Sequence, residues 1–148
     1  MKALSLTQPF ATLVAIGAKR IETRSWHTNY RGPLAIHASK GFPRDSQAYC
    51  EDQPFLMVLR EFFGPEFETG QLPTGAIVGL TSVSGCVKMT PEWIASIAEI
   101  ERSFGLYELD RSGWILGPVE WLIQPIPIKG ALGLWEYTPA YKVPEGYK

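Results

Sequence analysis

Apolar residues recur every three or four positions at Phe10, Leu13, Val14 and Gly17, a spacing that predicts a helix with one core-facing stripe. Thr7-Gln8-Pro9 supplies its start, with Thr7 placed to cap and Pro9 in the first turn, where a missing N–H costs nothing. Gly17 marks its end. Alternation takes over at residues 21–26. In a strand there, Glu22, Arg24 and Trp26 face one way and Ile21, Thr23 and Ser25 the other. After the Arg31-Gly32-Pro33 turn, residues 34–39 alternate again, with Leu34, Ile36 and Ala38 toward the core and His37 and Ser39 on the polar side. Residues 44–63 read as helical but interrupted by Pro54, so two short helices or one kinked helix are expected, stopped by Gly64-Pro65. The continuous apolar run from Ala76 to Leu80 predicts a buried central strand. Thr90-Pro91 repeats the cap-and-proline helix start, for a helix running to Phe104 and ended by Gly105. Strand-like pieces follow at 114–116, 119–123, 126–128 and 134–137, and Pro125 and Pro127, which cannot donate to a ladder, belong at a sheet edge or barrel corner. About six short strands and two or three helices make an α+β chain, mostly β, expected to form one closed or nearly closed β-barrel with flanking helices. No repeat or linker divides the 148 residues, so they read as a single domain.

Composition narrows the class. The chain is 45% hydrophobic and 20% charged, ordinary for a globular protein, and no apolar run approaches the roughly 20 residues that cross a bilayer. The apolar stretch at Met1–Leu6 is too short for a signal peptide, so the expected location is cytoplasmic and away from membranes. Cys50 and Cys86 stand apart from each other and from histidines, which reads as two reduced structural thiols. No carboxylate cluster suggests a metal, and no cofactor is implied. The net charge of −1 conceals an asymmetry. Up to residue 44 the chain carries Lys2, Lys19, Arg20, Arg24, Arg31, Lys40 and Arg44 against the single acid Glu22. That segment is strongly basic, the remainder correspondingly acidic, and a binding face for an anionic partner is the expectation.

The densest polar cluster is Gly17-Ala18-Lys19-Arg20-Ile21-Glu22-Thr23-Arg24. The glycine frees the backbone at the helix end, Lys19 leaves that end, and Glu22 and Arg24 emerge from one strand face, so cation, carboxylate and guanidinium converge on one cleft. The pattern G-x-K-x-x-E-x-R, just after Gln8-Pro9-Phe10-Ala11-Thr12-Leu13, resembles the ASCH domain, the activating-signal-cointegrator homology family of the PUA-like superfamily. Further segments are similar to that family's strands: residues 31–40, 72–79, 114–116 and 125–135. The resemblance implies a PUA-like β-barrel whose cleft is lined by the motif lysine, in a superfamily of RNA-binding and modified-base-binding modules. It also implies a spread of activities, including a ribonuclease and amidohydrolases of N4-acylated cytidine. The amidohydrolases resemble this chain at Lys19 but carry threonine where Glu22 stands, and their separate glutamate has no counterpart placed here.

On this reading the chain binds nucleic acid, single-stranded RNA first. Lys19, Arg20, Arg24, Arg31, Lys40 and Arg44 take phosphate, Ser39 adds a hydroxyl contact, Glu22 accepts from base or sugar, and Trp26 stacks. The alternative is a metal-independent hydrolase in the same cleft, acting on RNA or on a modified nucleoside. Glu22 or His37 would then move the proton and Lys19 would stabilise developing negative charge. A role inside a larger protein assembly would leave the basic cleft unexplained.

Overall fold

The computed structural model describes residues 1–139. Seven strands share one sheet: β1 (Lys2–Leu6), β2 (Ile21–Arg24), β3 (Gly32–Ala38), β4 (Ala76–Lys88), β5 (Ser112–Leu116), β6 (Glu120–Pro127) and β7 (Leu134–Glu136). Five short helices accompany them: α1 (Phe10–Ala15), α2 (Arg44–Tyr49), α3 (Phe55–Phe63), α4 (Pro91–Ser96) and α5 (Glu99–Arg102). The chain is α+β and mostly β, as its periodicity predicts, with more and shorter helices than the two or three expected. Residues 44–63 divide at Pro54, and the helix expected up to Phe104 breaks at Ile97, whose φ of −86° and ψ of 135° are those of a strand. Among the described residues no helix is long and apolar enough to cross a membrane.

The strands run in the order β2-β5-β4-β3-β1-β7, with β6 also on β4. β4 is the hub. One of its edges pairs with β3, while the other is shared, its first residues taking β6 and its last taking β5. The register with β5 shifts between Val83 and Gly85, just past the last β6 pair at Leu80. The sheet therefore splits into two wings instead of continuing round. Among the described residues β2 pairs only with β5, and β7 only with β1, so the expected barrel does not close. The prolines fall where expected: Pro125 and Pro127 lie in β6, which among the described residues pairs only with β4.

Helix α1 lies on this sheet. Ala11, Val14 and Ala15 pack with Leu4, Leu34, Ile36, Val78 and Trp114, while Leu13 points into a second cluster with Phe55, Leu59 and Phe104. The approach of α1 to β4 is closest at Gly79, where an added Cβ would stand 2.6 Å from the Ala15 Cβ and 3.0 Å from the Glu120 carbonyl. Gly79→Ala should therefore cost about 1–3 kcal/mol by overpacking, read from the midpoint of urea unfolding. An unchanged midpoint would mean that helix and strand can part without loss.

Two local expectations change. Thr7 does not cap α1 with its side chain. The fully buried Gln8 does this work instead, its Oε1 accepting from the Thr12 amide at 3.0 Å and its Nε2 donating to the Pro73 carbonyl at 2.8 Å. His37, expected on a polar face, is 2% exposed. β3 is buried on both sides, because a third cluster around Ala35, Ile77, Leu80 and Tyr137, with Ile126, Ile128 and Trp135 against it, covers the face expected to be wet.

Candidate functional site

The end of α1 sets the site. Gly17 turns the chain with φ +83°, its amide donating to the Val14 carbonyl, and the Lys19 amide donates to the Leu13 carbonyl at 2.9 Å. The turn sends the Lys19 side chain inward, where it is 1% exposed. An ammonium so buried needs partners. Its Nζ donates to the Ile21 carbonyl and forms an ion pair with Glu22 Oε1 at 3.4 Å. The other Glu22 oxygen, Oε2, accepts from Arg24 Nη1 at 3.2 Å. Arg24 in turn holds its guanidinium 5.7 Å above the Trp26 ring. A chain of charge thus runs outward from Lys19 through Glu22 to Arg24 and ends on an aromatic face.

These side chains line a cleft of about 520 Å³, which holds the predicted trio Lys19, Glu22 and Arg24 together. Its walls come from far along the chain. Phe10 of α1, Tyr49 of α2 and Phe55 of α3 form one side, with Phe10 and Tyr49 edge to face at 5.4 Å and Tyr49 and Phe55 at 5.2 Å. Tyr49 is exposed there. Residues 103–106 continue this wall, with Phe104 edge-on to Phe55 at 5.1 Å, and are fastened to β2 by the Leu106 amide, which donates to Thr23 Oγ1 at 3.1 Å. Behind this wall sits Tyr107. Burial first, then the Glu101 and Glu22 carboxylates, pushes its hydroxyl far above the ordinary tyrosine range, so it stays protonated.

The remaining predicted residues do not join this cleft. Trp26 lies just past the end of β2, not within the strand as expected, because the ladder with β5 stops at the Arg24–Ser112 pair. It stays beside the cleft mouth by packing edge-on against Trp114 at 4.8 Å. Arg44 opens α2, the helix that carries Tyr49 to the cleft. Arg20 is exposed beside a small cavity that it lines with Gly17, Lys19 and Gly117, and its amide donates to Glu101 Oε1 at 2.8 Å. Arg31 donates to the Thr28 and Tyr30 carbonyls. His37, Ser39 and Lys40 line a second, larger cavity. There His37 has both ring nitrogens engaged, Nε2 with the Ile128 carbonyl at 2.8 Å and Nδ1 with Ser5 Oγ at 2.9 Å. Cys50 is buried, Cys86 half-buried, and both are free thiols.

Residues 4–127 match the sequence profile of the ASCH domain. The chain belongs to the ASCH domain family. Activating signal cointegrator 1 of Mus musculus and that of Homo sapiens are each 30% identical to this ASCH domain over 148 residues. The alignment takes in 98% of the chain but 23% of each relative, so the chain spans about a quarter of their length. Among solved structures, an ASCH protein from Zymomonas mobilis is similar with a TM-score of 0.49 and 14% identity, over 85% of this chain and 72% of that one.

Proposed function

We propose that this ASCH domain binds single-stranded RNA and takes one unstacked base into the motif cleft. The observation that carries the reading is the Lys19–Glu22–Arg24 chain of charge set in the floor of a cleft walled by Phe10, Tyr49 and Phe55. The volume of about 520 Å³ suits one nucleotide. Bases held out of a helix are commonly stacked on aromatic side chains and hydrogen-bonded on their edges. Tyr49 offers the stacking face, and the Glu22 carboxylate and Lys19 ammonium offer an acceptor and a donor at the floor. Arg24 and Trp26 at the mouth, and Arg44 on α2, would receive the phosphates and bases on either side.

Fluorescence anisotropy of a labelled single-stranded RNA of about ten nucleotides, without added metal, tests this reading. Affinity should fall steeply as salt rises, because cations that neutralise phosphates release counterions. Tyr49→Ala, which removes an exposed ring and leaves the core intact, should weaken binding by about 1–3 kcal/mol, roughly 5- to 150-fold. Full affinity in this variant would remove the base from the cleft.

A second reading has its own observation. Glu22 is a nearly buried carboxylate 3.4 Å from an ammonium in a cleft that opens to solvent, a pairing able to move a proton and stabilise developing charge. The same incubation, followed for RNA cleavage and for release of the acyl group from N4-acylated cytidine, separates a hydrolase from a binding module.

A further inference from the structure

We propose that the cavity beside the motif cleft, between Lys40 and Lys129, is a phosphate subsite continuous with that cleft, so that the ligand is a strand crossing both. This deepens the reading of the cleft as a base pocket and rests on it. The cavity holds about 950 Å³ and shares one lining residue, Ser5, with the cleft. The two spaces therefore adjoin across β1.

The chemistry of the second cavity is one-sided. Among the described residues its charged lining is Lys40 and Lys129, accompanied by the hydroxyls of Ser39 and Thr74, with no carboxylate. Among the described residues neither lysine belongs to an ion pair. Two exposed, unneutralised ammonium groups over hydroxyls suit a phosphodiester, which asks for positive charge and donors without a fixed base geometry. Leu132 stands 98% exposed at the rim and offers an apolar surface to a sugar or base.

The backbone around the cavity is held in place. Gly75 has φ +64°, and its amide donates to the Ala38 carbonyl at 2.8 Å. Lys40 crosses directly over it, its Cβ 3.8 Å from where a Gly75 Cβ would stand. On the other side, Gly130 has no room for a Cβ, which would lie 2.5 Å from His37 Cε1 and 2.6 Å from Ser5 Oγ. The segment carrying Lys129 is thus pressed onto the His37–Ser5 pair. The Trp135 indole donates to Ser5 Oγ at 3.1 Å, Ser5 donates on to His37 Nδ1, and His37 Nε2 donates to the Ile128 carbonyl. His37 is here a positioning residue, holding Lys129 opposite Lys40.

Salt titration of the same labelled RNA decides the question. In K40A/K129A the slope of log affinity against log salt should be shallower by about 1.4, two phosphate contacts at roughly 0.7 each on a single strand. Both lysines are exposed, so the variant should fold. An unchanged slope overturns the subsite. Silence in Tyr49→Ala together with a shallower slope in K40A/K129A overturns the base-cleft reading and leaves the phosphate contacts standing. No retention of RNA by the wild-type domain at low salt overturns both.

Discussion

Lys19→Met is expected to lower the stability of the domain by about 3–5 kcal/mol and the melting temperature by roughly 10–16 °C, and to abolish RNA binding at the motif cleft. The methionine occupies similar space, so the loss comes from charge. Without the ammonium, the 6%-exposed Glu22 keeps only Arg24, which approaches from the solvent side. The Ile21 carbonyl loses its Lys19 donor as well. A carboxylate left buried with half its partners is the costly state, whereas removal of the whole pair need not be. The double variant Lys19→Met/Glu22→Leu should accordingly recover much of the stability while remaining unable to bind. Thermal unfolding beside anisotropy separates the two effects. A single variant that melts like the wild type would mean that Glu22 swings out to water and that the buried pair is no fixed feature of the cleft.

Trp114→Ala should cost a similar amount, about 3–5 kcal/mol, for a different reason. Trp114 is fully buried and is paired with Glu22 in the β2–β5 register, so it stands beside the motif strand on the face that carries Glu22. Its indole donates to the Trp26 carbonyl at 3.3 Å and its ring supports the edge of Trp26. Removal leaves a large void beneath the strand and frees Trp26, which in turn releases the surface under Arg24. The expected result is an early urea midpoint and a red-shifted, more mobile emission from Trp26. A normal midpoint with unchanged emission would show that β2 does not rely on this contact.

The arrangement around Lys19 was legible because it is local. A positive-φ glycine, one turn of backbone and the alternation of a strand place Lys19, Glu22 and Arg24 within eight residues, and no distant segment is needed to bring them together. The aromatic walls were legible only as helix faces. Phe10, Tyr49, Phe55 and Phe104 meet because α1, α2, α3 and the loop after α5 converge, and no spacing along the chain records that convergence. The basic first third suggested one face for the same reason in reverse: nearness in sequence is not nearness in space. Past Gly32, β3 leads to Ser39 and Lys40 at the adjoining cavity, while Arg20 and Arg31 turn to other surfaces. His37 was misplaced because alternation describes a strand with one wet side, and β3 has none once Ile128 and Trp135 have folded over it. The open sheet has no signature along the chain, because closure depends on which edge β6 takes, and β4 gives β5 and β6 the same one.

β1 is flanked by β3 on one edge, in parallel, and by β7 on the other, with Lys2 opposite Glu136 and Ala3 opposite Trp135. Its partners therefore arrive at very different times. Ribosomes add roughly 5–20 residues per second, so several seconds separate the emergence of β3 from that of β7. For that interval the free edge of β1 is a row of unpaired amides and carbonyls, open to any passing strand. Pairing between such distant segments also places refolding toward the slow end for a chain of this length. Chain concentration during synthesis or refolding should therefore lower the yield of folded domain, because it offers the free edge of β1 more strands to pair with.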